Sequence, residues 1–174
     1  GGEQKYYHKM IGGNFRIDAI QSGVLNVKLP HLNKWSQKRR DNAALYKKLF
    51  IESGLSETDG KINFDVKNKV LLPKAVYGDD KSLLNSHIYN QFIVRVEKRD
   101  EMRKFLSDNQ IANEIYYPIP FHMQECFASL GYNNGDFPVS EKAATTSIAL
   151  PVFPELTAEQ ITYVVETFRK FIRN

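Results

Sequence analysis

Apolar residues in this chain recur in two rhythms, a helical one at both ends and a two-residue alternation in the middle. Ile17, Ile20, Val24 and Val27, with Leu25 flanking, repeat at helical spacing and predict a helix opening at about Asp18. Gln21 lies three residues after Asp18, the spacing of a capping box. Gly23 in mid-helix costs about 1 kcal/mol relative to alanine, which makes sense where another backbone packs close. Pro30 ends or kinks this helix. A second helix carries Leu32, Trp35, Ala43, Tyr46 and Phe50 on one face and stops near Ser53-Gly54.

Residues 55–69 are polar, with Asp59-Gly60 as a turn signal and Lys61–Val66 alternating as a short edge strand. Val70-Leu71-Leu72 is a brief apolar run, and Gly78–Asn85 reads as a loop. Gln91–Glu97 is the clearest strand, with Phe92, Val94 and Val96 on one face. Asp100 is expected to cap a helix bearing Met102, Phe105 and Leu106, and Ile111–Tyr117 reads as the next strand, ended by Pro118. If those strands are parallel, the unit is a right-handed crossover. Phe121–Asp136 suggests a short helical stretch and a turn. Ser140 is expected to cap a helix through Thr145, and Ser147–Leu150 to form a strand. Thr157 and Gln160 make a second capping box, ahead of the stripe Ile161, Val164, Val165, Phe168 and Ile172. The pattern predicts an α/β fold: a small mixed sheet flanked by helices, preceded by a long N-terminal helical arm. The expected boundary falls near residue 55, giving a lead-in segment and arm over 1–54 and a small domain over 55–174.

Composition narrows the class. The 174 residues are 42% hydrophobic and 25% charged, an ordinary globular balance. No stretch approaches a membrane span, and the one cysteine, Cys126, excludes an internal disulfide framework and fits a reducing, cytoplasmic compartment. The net charge of +4 suits small acidic ligands and does not by itself argue for nucleic acid. The first residue is Gly1 and no Met precedes Met10, so the text reads as a piece of something longer or as carrying an added start.

Candidate chemistry concentrates in two places. Gly12-Gly13-Asn14-Phe15-Arg16 runs into a helix start, where backbone donors, glycine-permitted approach and an arginine together suit a phosphate. Any helix start offers free amides, however. Asn14 also reads as a turn residue after Gly13, and Arg16 as a surface ion pair. Upstream, Lys5, Tyr6, Tyr7 and His8 join a cation to aromatic faces. Tyr116-Tyr117 precedes Pro118-Ile119-Pro120, a stiff stretch that presents the side chains before it in a set direction. In a strand, one of those tyrosines would face the core. His87 and His122 lack ligands at metal spacing and read as structural or interface histidines. Cys126 reads as a small buried hydrophobe, Asn90 and Gln91 stay unassigned, and Lys34–Arg40 reads as the solvated side of a helix.

Taken in order, Lys5–Gln21, Lys28–Tyr46, Ser86–Val96, Ile115–Phe127, Leu130-Gly131-Tyr132, Phe137-Pro138 with Glu141, and Leu150–Thr157 form a string of blocks. The string resembles the C-terminal part of the DegT/DnrJ/StrS-type sugar-nucleotide aminotransferases, which use pyridoxal 5'-phosphate (PLP). The chain departs from the usual family text at Ser22-Gly23, where two alanines are common. The resemblance implies the small domain of the aspartate-aminotransferase (fold type I) architecture. It also implies amino transfer, commonly from glutamate, to a nucleotide-linked keto-deoxysugar for polysaccharide or glycoside synthesis. It assigns Asn14 and Arg16 to the PLP phosphate, and Tyr116 and Tyr117 to the sugar nucleotide. Lys5 and Tyr6, by their charge and aromatic faces, read as meeting that same ligand or as a loop packing against a partner subunit. It assigns no catalytic residue and no metal, because the lysine that links to PLP belongs to an earlier domain with no counterpart here. The 174-residue polypeptide is therefore expected to be inactive alone, and to self-associate as the family's homodimers do. Two other classes compete: an RNA-binding strand–helix–strand module and a non-catalytic dimerisation lobe. Against the RNA reading, Phe92–Val96 lacks an RRM's aromatic text and the basic residues do not cluster beside the tyrosines.

Overall fold

The computed structural model describes residues 4–13, 17–57, 70–77 and 86–173. In chain order its elements are helix α1 (Ala19–Lys28), helix α2 (Leu32–Glu52), strand β1 (Phe92–Arg95), helix α3 (Arg99–Asp108), helix α4 (Pro138–Thr146), strand β2 (Ser147–Leu150) and helix α5 (Ala158–Arg173). The chain divides into two compact units, one from Gly1–Pro30 and Ile115–Thr145, the other from His31–Glu114 and Thr146–Asn174. The turn at Asp59-Gly60, the alternation over Lys61–Val66 and the loop over Gly78–Asn85 lie outside the described residues.

The second unit holds the core. Its sheet is antiparallel: Phe92 pairs with Leu150 and Val94 with Ile148. Leu71 bridges Arg95 and Glu114 bridges Ala149, both also antiparallel. The α/β class holds, but pairing among the described residues is antiparallel where a mixed sheet was expected. The crossover between β1 and Ile111–Tyr117 is therefore absent. That segment makes one bridge instead of a strand because Pro118 and Pro120 follow it and have no N–H to extend a ladder.

Helix side chains pack on the Phe92 and Val94 face of this sheet. The Tyr46 ring stacks on Phe92 at 4.9 Å, and Phe50 meets Phe168 edge-on at 5.3 Å, joining α2 to α5 through aromatic contacts. Phe50, Phe92, Met102, Leu106 and Phe168 are fully buried, each worth about 1.5–3 kcal/mol of hydrophobic stabilisation. Among the described residues the Tyr46 hydroxyl has no hydrogen-bond partner, and burial pushes its pKa well above 10.0.

The helix ends show which local signals prevailed. In α1, the Gln21 N–H donates to Asp18 Oδ1 at 2.8 Å and the Asp18 N–H donates to Gln21 Oε1 at 3.3 Å, so the capping box forms. Pro30 sits in a 3-10 turn, Leu29–His31, and α2 ends at Ser53 before Gly54 at φ +73°. Thr157 and Gln160 exchange the same pair of bonds ahead of α5. Two helix starts differ from expectation. Lys98, without a side-chain cap, precedes α3, which places Asp100 in its first turn, held by Arg99 Nε at 2.6 Å. Pro138 opens α4 two residues before Ser140, because proline's fixed φ suits the first helical position and Glu141 binds the amides ahead of it. No helix among the described residues is long and apolar enough to cross a membrane.

Candidate functional site

Four residues from opposite ends of the first unit meet in one aromatic cluster. Lys5 Nζ lies 4.8 Å from the centroid of the Tyr6 ring. That ring meets Tyr117 edge-on at 5.6 Å and Tyr116 at 6.4 Å, and the two neighbouring tyrosines contact each other at 6.2 Å. The Tyr116–Tyr117 peptide bond is cis, and neither ring is buried: Tyr116 is half-buried and Tyr117 is 63% exposed. A cation beside an exposed aromatic surface is chemically suited to a ligand with a planar ring and an anionic group.

One buried amide holds the backbone of Tyr6 and His8. Gln124 Oε1 accepts the His8 N–H at 3.1 Å, and Gln124 Nε2 donates to the Tyr6 carbonyl at 2.9 Å. The Cys126 N–H donates to the His8 carbonyl at 3.1 Å. Cys126 itself is only half-buried, against the expectation of a buried hydrophobe. Tyr6 has φ +71°, a left-handed geometry that costs a non-glycine residue about 1–2 kcal/mol and persists where neighbouring bonds hold it. Sequence reasoning missed Gln124. The available signal was a glutamine between two apolar, turn-forming stretches, too common to read alone.

His122 pairs with Glu141. Its Nε2 lies 2.8 Å from Glu141 Oε1, and the ring packs on Phe137 at 4.7 Å. Glu141 also accepts the Gly135 N–H at 2.9 Å and the Phe137 N–H at 3.2 Å. Desolvation raises the Glu141 pKa, but these two backbone donors and His122 outweigh it and hold the carboxyl below 4.5. His122 is thus one partner of a loop-fastening pair.

At the α1 N-terminus, where the glycines suggested a phosphate cradle, the Asp18 carboxylate caps the Gln21 amide, and its negative charge weakens the turn's pull on a second anion. Asn14 and Arg16 lie outside the described residues.

In the second unit, part of the basic run on α2 is neither solvated nor idle. Arg39 Nη1 donates to the Val152 carbonyl at 2.7 Å and reaches those of Asn90 and Tyr89 at 3.3 and 3.5 Å. Asn42 Nδ2 donates to the Phe153 carbonyl at 2.8 Å, and Lys47 Nζ to the Tyr89 hydroxyl at 2.7 Å. The Tyr89 N–H donates to His87 Nδ1 at 3.0 Å, and the two rings stack at 4.0 Å. Desolvation and the nearby Lys47 charge both lower the His87 pKa. Lys34 and Lys38 are exposed, as expected of a solvated face. Among the described residues no group of His, Cys, Asp and Glu could hold a metal ion.

The sequence pattern of the DegT/DnrJ/EryC1/StrS aminotransferase family matches residues 1–169. The chain belongs to that family. A "Pleiotropic regulatory protein" of Geobacillus stearothermophilus is 42% identical over 174 residues, which is all of this chain and 42% of that protein. A "UDP-N-acetyl-3-dehydro-alpha-D-glucosamine 3-aminotranferase" of Acidithiobacillus ferrooxidans is 32% identical, over 98% of this chain and 40% of that protein. The crystal structure of S. venezuelae DesV in complex with a ketimine intermediate superposes with a TM-score of 0.71 at 30% identity, covering 100% of this chain and 42% of that one. The fold is that of the fold type I sugar aminotransferases. This family member spans about two fifths of the length of the curated relatives it matches.

Proposed function

We propose that this segment serves PLP-dependent transfer of an amino group, from a donor such as glutamate, to a nucleotide-linked keto-deoxysugar. Its first unit contributes side chains that hold the sugar nucleotide. The observation that carries this reading is the convergence of Lys5, Tyr6, Tyr116 and Tyr117 in one partly exposed cluster. Lys5 supplies positive charge for the diphosphate, and the tyrosines supply aromatic surface for the base or sugar. Asn14 and Arg16 contribute to the cofactor phosphate. Family membership supports this chemistry.

PLP, when bound, supplies the electron sink through which an amino group can move between donor and sugar. The described residues do not form a seat for it by themselves. Lys5 lies on the Tyr6 ring, and the one helix start beside the glycine run carries an aspartate. The reading therefore gives this polypeptide binding work and no catalytic residue. Supplied with PLP, glutamate and a keto-sugar nucleotide, the 174-residue chain should give no amino sugar, and detectable turnover would refute that. It should self-associate through the apolar surface of α1, where Ile20 is 80% and Val27 73% exposed.

Saturation-transfer NMR with UDP-N-acetylglucosamine and dTDP-glucose tests the binding role. The base and sugar protons should receive saturation from the wild-type chain and lose most of it in Lys5→Ala and Tyr117→Ala. Equal transfer in the wild type and both variants would overturn the assignment.

A further inference from the structure

Gln124 stands out because nothing about the proposed contacts requires it, yet it bonds to the backbone of the segment that carries two of them. Its own backbone is fixed twice, its N–H donating to the Phe121 carbonyl at 3.0 Å and its carbonyl accepting the Phe127 N–H at 2.9 Å. It sits extended between the 3-10 turns Phe121–Met123 and Glu125–Leu130, and is 7% exposed. From that mount its carboxamide crosses to the other end of the sequence, accepting from His8 and donating to Tyr6. Chemistry fixes the orientation: turned over, the amide would set an oxygen against the Tyr6 carbonyl and an N–H against the His8 N–H. Tyr6 is the residue in the left-handed geometry, and Lys5 precedes it.

We propose that Gln124 is a positioning residue for the sugar nucleotide, holding the backbone of Tyr6 and His8 so that Lys5 and Tyr6 are set against Tyr116 and Tyr117 before the ligand arrives. This rests on the reading that these four residues contact the sugar nucleotide. A ligand with an anionic group and a ring then meets both halves of its site at once, without the entropy of assembling them. Without Gln124, the segment carrying Lys5 and Tyr6 binds separately from the tyrosine pair, and the gain from simultaneous engagement disappears.

The test uses the 174-residue chain with UDP and uridine as probes, the second lacking the diphosphate. The variants are Gln124→Met, of similar length with no amide, and Gln124→Glu, which keeps the acceptor for His8 and removes the donor to Tyr6. Amide exchange should show the His8 N–H losing protection in Gln124→Met and keeping it in Gln124→Glu. Core amides of β1 should be unchanged in both, which separates a local effect from unfolding. UDP affinity should fall about tenfold or more in both variants while uridine affinity stays put, so that the preference for UDP over uridine collapses. If the wild type binds UDP and both variants bind it as tightly, Gln124 has no positioning role while the four-residue reading stands. If the variants lose UDP and uridine alike, Gln124 supports the structure generally and the proposal falls. A wild-type chain that binds neither probe removes the four-residue reading itself, and the ligand role of Gln124 with it.

Discussion

Replacing Arg39 by methionine should destabilise the second unit far more than replacing the exposed Lys38 one residue earlier on α2. The structure sets the size. The bond from Arg39 Nη1 to the Val152 carbonyl, at 2.7 Å, is well formed and charge-assisted, and such bonds contribute about 1.5–3 kcal/mol. The contacts to Asn90 and Tyr89, at 3.3 and 3.5 Å, are long and add a few tenths of a kcal/mol at most. Arg39 is half-buried, so solvent screens part of this. Methionine keeps most of the stem's packing, leaving a net loss of about 2 kcal/mol. For a chain of this size that lowers the melting temperature by about 4–8 °C. Urea denaturation followed by Trp35 fluorescence is the assay, since the one tryptophan lies on α2 and stacks on His31 at 5.5 Å. Lys38→Gln should stay within about 0.5 kcal/mol of wild type. Equal small effects from both substitutions would refute the reasoning and return Arg39 to the solvated face that its sequence context suggests.

Tyr46→Phe should stabilise the second unit by about 1 kcal/mol in the same urea assay, because it removes a buried hydroxyl with no partner among the described residues; a loss of stability would show that the hydroxyl is bonded. His87 has a folded pKa below the ordinary 6.5, so below that value the unfolded chain binds more protons and stability falls with pH. An NMR titration of the His87 ring should give a midpoint under 6.5, and a higher one would contradict the burial and the Lys47 contact. The ten-residue α1 buries none of its side chains, and helices that short are marginal in water. Its amides should exchange quickly in dilute solution and slow as concentration rises, while those of α5 stay protected throughout; protection independent of concentration would count against self-association through α1.

Much of this fold was legible because its signals are local. Both capping boxes, the stripe of α5, the Ala43, Tyr46 and Phe50 part of the α2 face and the run that becomes β2 each depend on spacings within one or two turns of chain, and the structure keeps them, while Leu32 at the start of that face is exposed. What escaped depends on partners distant in sequence. Strand direction is one case: Phe92–Arg95 pairs with Ser147–Leu150 and not with the next apolar stretch, and alternation carries no information about which strand is the neighbour. The basic run on α2 is another. Lys38 and Arg39 look alike in sequence, and only the return of the chain at Val152 turns one of them into a clamp.

The same distinction separates the parts of the candidate site. Residue type nominated the lysine and the tyrosines, because charge and aromatic surface announce what they can bind. What bonds to the Tyr6 backbone is an ordinary glutamine, and the Tyr6 backbone itself is left-handed, features that nothing in composition announces. The glycine run before α1 shows the opposite case, since its helix start looks open to an anion in sequence while Asp18 caps its Gln21 amide. A helix N-terminus can recruit a phosphate only if the protein has not already satisfied it, and the aspartate and glutamine that mark the start so clearly in sequence are the groups that close it. A strong capping signal is therefore an argument against anion binding at that same turn.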